Sequence, residues 1–66
     1  MEITVNGEKY DVRRGISLFE YISESGYDMA RTAVELNKNI VSKSGYKNCI
    51  LSEYDMLEVV TFVGGG

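Results

Sequence analysis

Met1, Ile3 and Val5 alternate with Glu2 and Thr4 at the start of the chain, the two-residue period of a strand with one buried face. Asn6-Gly7 follows, a dipeptide suited to a two-residue hairpin turn because both positions tolerate positive φ. A second strand is predicted over residues 8–13, paired back on the first, with Tyr10 and Val12 on the core side. The period then lengthens. Ser17 is placed to cap a helix and Glu20 to complete a capping box, with Ile16 and Tyr21 at the positions of a hydrophobic staple. Leu18, Ile22 and either Phe19 or Tyr21 supply the buried stripe, and Gly26 the left-handed residue past the last turn. So short a helix must depend on packing against a sheet.

Residues 32–37 predict a third strand with Val34 and Leu36 inward, Asn37-Lys38-Asn39 a turn, and Ile40-Val41 a strand stub. Residues 42–48 read as a polar surface stretch broken by Gly45, in which Tyr46 folds onto the body. After the apolar triplet 49–51 the chain turns at Ser52-Glu53-Tyr54-Asp55. It then enters its longest strand candidate, Met56 to Val63, which runs into Gly64-Gly65-Gly66. Alternation points Leu57, Val59 and Val63 at the helix, and Val60 and Phe62 at the opposite face. Two strands, a helix and then further strands describe an α+β fold. Its mixed sheet of four to five strands carries one helix across a face, with the first and last strands central and parallel. This is the ubiquitin-like β-grasp.

Composition narrows the chemistry. Sixty-six residues make one domain, read as a body over 1–63 and a flexible glycine tail over 64–66. Cys49 is the one cysteine and there is no histidine; neither an internal disulfide nor the usual zinc-ligand sets can form, and no metal site is expected. In its apolar triplet Cys49 is a small packed hydrophobe rather than a relay thiol. A net charge of −3 argues against nucleic acid, which demands a basic footprint, and suits a basic protein surface. No segment has the length of a membrane span and no leader pattern opens the chain; with a single unpaired cysteine, the expectation is a cytoplasmic protein. Catalysis by this chain is not expected, for no nucleophile–base set or phosphate loop is present.

The glycine tail is the candidate chemistry. Without a Cβ it can thread a slot too narrow for side chains, and three residues reach about 10 Å beyond the body. Glycine-rich ends are also common as plain linkers, so the tail by itself leaves both readings open. The remaining motifs tip the balance. The Asn6-Gly7 hairpin, the Ser17–Gly26 helix, Glu35-Leu36-Asn37-Lys38-Asn39-Ile40-Val41, Lys43, Tyr46 and the acidic turn before Leu57-Glu58-Val59-Val60-Thr61-Phe62-Val63-Gly64-Gly65-Gly66 together resemble the ThiS family, the sulfur carriers of thiamine thiazole synthesis. The chain departs from the family pattern at Tyr54, where such carriers often have glycine, and at Ser42, where proline is common. A tyrosine there implies a changed turn or an outward ring.

The resemblance implies a carrier served by other enzymes. No cofactor is bound by the chain itself; a ThiF-like adenylyltransferase uses ATP and Mg²⁺ to adenylate the Gly66 carboxylate. A persulfide donor fed by a cysteine desulfurase then supplies sulfur, and a thiocarboxylate at Gly66 delivers it to a ThiG-like thiazole synthase. Gly64 and Gly65 thread the partner's active site. Apart from the resemblance, the outward direction of Val60 and Phe62 makes them the expected apolar docking centre, with Glu53, Asp55 and Glu58 expected to steer it toward a basic surface. Three other readings stay open: a MoaD-like carrier for molybdopterin synthesis, a ubiquitin-like modifier forming isopeptide bonds, and a β-grasp adaptor whose glycines are incidental.

Overall fold

The computed structural model describes residues 1–63. Five strands form one sheet: β1 (Glu2–Val5), β2 (Glu8–Asp11), β3 (Thr32–Leu36), β4 (Asn39–Val41) and β5 (Met56–Thr61). Their spatial order is β2-β1-β5-β3-β4. β1 and β5 run parallel at the middle, and every other pairing is antiparallel. One helix, α1 (Leu18–Glu24), crosses one face, and two 3-10 segments lie at Met29–Arg31 and Lys43–Asn48. The expected β-grasp is the fold observed.

The hairpin turn forms for the predicted reason, with φ of 51° at Asn6 and 82° at Gly7. Asn6 does more than turn. Its side-chain amide donates to the Val59 carbonyl (3.1 Å) and its Oδ1 accepts from the Val59 N–H (2.7 Å), prolonging the β1–β5 ladder by one step. Asn37, at φ 51° in the next hairpin, serves β5 from the other side. Its backbone N–H donates to the Met56 carbonyl (2.8 Å), and its Oδ1 accepts from the Met56 N–H (3.0 Å). Two asparagines in left-handed geometry thus brace the central strand, which Asn tolerates better than other non-glycine residues.

The capping box at α1 is complete. The Glu20 N–H donates to Ser17 Oγ and the Ser17 N–H to Glu20 Oε1, both at 3.0 Å. Arg13 adds a two-pronged pair with Glu24 at 2.8 Å and a second contact with Glu20 at 3.3 Å. Gly26 adopts φ 85° past the helix, as its position predicts. The segment after the second 3-10 helix pins the start of α1: the Leu18 N–H donates to the Cys49 carbonyl (2.7 Å) and the Leu51 N–H to the Ile16 carbonyl (2.9 Å). Between helix and sheet lie Ile3, Val5, Leu18, Ile22, Val34, Leu57 and Val59, with Tyr46 buried from the side.

Residues 42–48 are the polar surface stretch expected, with Tyr46 folded onto the body; Lys43–Asn48 coils there into a 3-10 helix. Two expectations change. Tyr10 lies opposite Ile3 on the helix-side face, yet it is 45% exposed. β2 is the edge strand, and a seven-residue helix is too small to cover it. β5 ends at Thr61, so Val63 does not pack beneath the helix but is 95% exposed.

Candidate functional site at the end of the central strand

β5 alternates cleanly. Leu57 and Val59 are buried, whereas Met56, Val60 and Phe62 are exposed on the face away from α1, Val60 by 53% and Phe62 by 59%. Among the described residues no loop covers Phe62. Cross-strand register sets its neighbours: Ala33 opposes Val60, Glu35 opposes Glu58, and Ile40 of β4 opposes Glu35 on the other side. Ala33, Glu35, Ile40, Glu58, Val60 and Phe62 line an open groove of about 290 Å³. Large apolar groups facing water beside one another mark interaction surfaces.

The groove lies against the root of the tail. Thr61 is the last paired residue, opposite Thr32, and the Phe62 N–H donates to the Arg31 carbonyl at 2.7 Å. That bond is the last backbone anchor among the described residues. Arg31 is held in turn by the 3-10 segment, where Asp28 caps the Ala30 N–H (3.0 Å) and the Lys43 Nζ donates to the Ala30 carbonyl (2.9 Å). The tail therefore starts from a fixed point on the central strand. Gly64, Gly65 and Gly66, the expected threading and modification positions, lie outside the described residues.

Of the acids expected to steer docking, Glu58 is in the groove and the other two are not. Glu53 pairs with Arg14 at 3.4 Å. Asp55 spends its carboxylate on its own turn, accepting from the Ser52 N–H (2.7 Å) and from Asn37 Nδ2 (3.0 Å). Both sit at the start of β5, roughly 20 Å of strand from Phe62 at the usual rise per residue. Nearness in sequence to β5 had suggested nearness to its end. Glu35, Ala33 and Ile40 were missed as groove residues. Their outward direction follows from the inward Val34, but nothing in the sequence says which strand lies beside β3.

Tyr54 keeps a left-handed backbone at φ 68° and turns its ring outward, 68% exposed. Cys49 is half-buried against the core, and burial first, then Asp55, pushes its thiol above the ordinary value; this is a packing residue rather than an activated nucleophile. Among the described residues no cluster of three or more potential ligands could hold a metal, and no helix is long and apolar enough to cross a membrane.

Residues 2–66 match the sequence model of the ThiS family. The chain belongs to the ThiS family. A thiamine biosynthesis protein (ThiS) from Geobacter metallireducens, known from its crystal structure, superposes with a TM-score of 0.85 at 26% identity, each chain covered in full. Two proteins named thiazole synthase are also similar to the whole chain: one from Magnetococcus marinus at 39% identity and one from Paramagnetospirillum magneticum at 36%. The chain spans 20% of the length of each of these relatives. A ThiS-like unit thus recurs inside longer polypeptides that carry the synthase name.

Proposed function

We propose that this ThiS-family protein is a sulfur carrier of thiamine biosynthesis, a co-substrate whose Gly66 carboxylate is activated and sulfurated by partner enzymes. One observation carries the reading. The family match runs through the glycine end, and that end departs from a strand braced on both sides and anchored at Phe62. A carboxylate resists nucleophiles because its charge repels them and oxide is a poor leaving group. An adenylyltransferase of ThiF type removes that obstacle: the Gly66 carboxylate displaces pyrophosphate from Mg·ATP to give an acyl adenylate. The terminal sulfur of a donor persulfide attacks the acyl carbon and AMP leaves, forming an acyl disulfide. A second thiol cleaves the S–S bond, is itself oxidised to a disulfide, and leaves a thiocarboxylate at Gly66. Thiazole synthase then consumes that sulfur. The whole-chain similarity to proteins named thiazole synthase supports this partner, since a unit joined to an enzyme in one polypeptide commonly works beside it as a separate chain.

Intact mass of the protein from its native cell tests the reading. The expected species carries sulfur in place of one oxygen at the C-terminal residue, and the adenylate forms when the chain meets the adenylyltransferase and Mg·ATP. A chain that ends at Gly66, carries no sulfur and accepts no AMP overturns it.

A further inference from the structure

Resting on that reading, we propose that Glu35 and Glu58 together receive one basic side chain, an arginine or lysine, of a partner protein at the centre of the open sheet face. The two residues are direct cross-strand partners of β3 and β5. Directly opposed side chains stand about 5 Å apart at Cβ, and like charges so placed weaken a sheet. Neither carboxylate has a hydrogen-bond donor or an ion-pair partner among the described residues.

Six of the protein's seven lysines and arginines are already engaged. Lys9 pairs with Glu2, Arg13 with Glu20 and Glu24, Arg14 with Glu53, and Arg31 with Asp28. Lys43 caps a carbonyl, and Lys47 lies 4.9 Å over the Phe19 ring. Lys38 alone is left; it borders the shallow depression beyond Glu58, with Met56, but makes no ion pair. No cation among the described residues is ion-paired with either carboxylate.

Its surroundings suit an incoming cation. Ala33, Ile40, Val60 and Phe62 flank the carboxylates, so a partner surface that covers them excludes water and strengthens each charge contact. The methylene stem of an arginine or lysine lies along apolar groups while its head reaches the acids. A guanidinium fits best, because its planar fork can serve two carboxylates at once. A second copy of this chain is the wrong occupant: it would bring four carboxylates into one interface between molecules that each carry a net charge of −3.

Titration calorimetry of the full chain against the thiazole synthase and the adenylyltransferase of its own organism, over a series of NaCl concentrations, tests this. Glu35→Gln and Glu58→Gln should each weaken binding to at least one enzyme about thirtyfold or more, the loss on removing one member of a desolvated charge pair. The double variant should also lose most of the salt dependence, and its melting temperature should equal or exceed that of the wild type. Unchanged affinity and salt dependence in the double variant overturn the proposal. So does a fall in its melting temperature, because the pair would then serve the fold, and so does a wild-type dimer held through this face in sedimentation. If Phe62→Ala weakens binding while the glutamine variants do not, the carrier reading survives and this inference alone falls. A wild-type chain that binds neither enzyme overturns both.

Discussion

The Phe62 N–H makes the last backbone hydrogen bond among the described residues, to the Arg31 carbonyl, and its ring stands exposed at the edge of the groove. Truncating the ring leaves the N–H in place, so Phe62→Ala should keep the fold. It should weaken association with the proposed partners, the synthase and the adenylyltransferase, by about 2 kcal/mol, the range of an aromatic hot spot. Titration calorimetry with a parallel melting curve separates the two effects, and unchanged affinity for both enzymes would remove the groove from the docking surface. Tyr54 presents the opposite case. A left-handed backbone costs a non-glycine residue about 1 kcal/mol, and this ring, exposed as it is, returns little packing. Tyr54→Gly should raise stability by a few tenths of a kcal/mol to about 1 kcal/mol, net of the added freedom of the unfolded chain. Urea denaturation measures it; a loss would show that the ring contributes more than its exposure suggests.

At the scale of elements, β5 and α1 depend on side chains that substitute for backbone. Asn6 gives β5 two hydrogen bonds that no strand residue could supply at that point. Asn6→Ala removes both, leaves the Val59 N–H without its partner, and puts alanine at positive φ. At about 1 kcal/mol for each bond the cost should reach about 2 kcal/mol or more, read by urea denaturation. A cost well under that would mean water replaces the amide. Helix α1 should lend the fold a pH dependence. Glu20 is held below the ordinary carboxylate value, first by the Ser17 backbone N–H, then by the Ser17 hydroxyl and Arg13; Glu24 is held low by Arg13. Groups with a lowered folded value stabilise fully above the unfolded value and lose that contribution as pH falls through the folded one. The melting temperature should therefore drop as pH falls below the ordinary carboxylate value of 4.5. Glu24→Gln should flatten part of the drop, and identical profiles for wild type and variant would show that the Arg13 pair is not coupled to folding.

At the scale of the whole molecule, the described body should stand without the last glycines. The core closes at Val59 and the last described backbone bond at Phe62. Deleting Gly65 and Gly66 should accordingly shift stability by no more than the ~0.5 kcal/mol usual for surface changes, while abolishing AMP transfer. Gly65→Val should likewise leave a folded domain and block adenylation, because a β-branched side chain restricts the backbone and widens the thread. Normal adenylation of either variant, followed by an AMP-release assay, would place the chemistry elsewhere.

How far the sequence reaches depends on the range of the interaction. The Asn6-Gly7 hairpin, the Ser17–Glu20 capping box and the Gly26 stop are contacts between residues a few positions apart, set by backbone geometry, and the chain alone determined them. The inward Leu57 and Val59 followed just as directly from a period of two, as did the exposure of Val60 and Phe62, whereas Val63 fell outside the strand. What lies beside those residues did not. Glu35 meets Glu58 because β3 pairs with β5, and Asn6 braces Val59 because β1 lies along β5. Glu53 and Asp55, adjacent to β5 in sequence, are carried to the end far from the tail by the length of the strand itself. Alternation determines the face a side chain takes; the neighbour across the strand is decided by pairings between segments distant in sequence, which only burial of a common core can select.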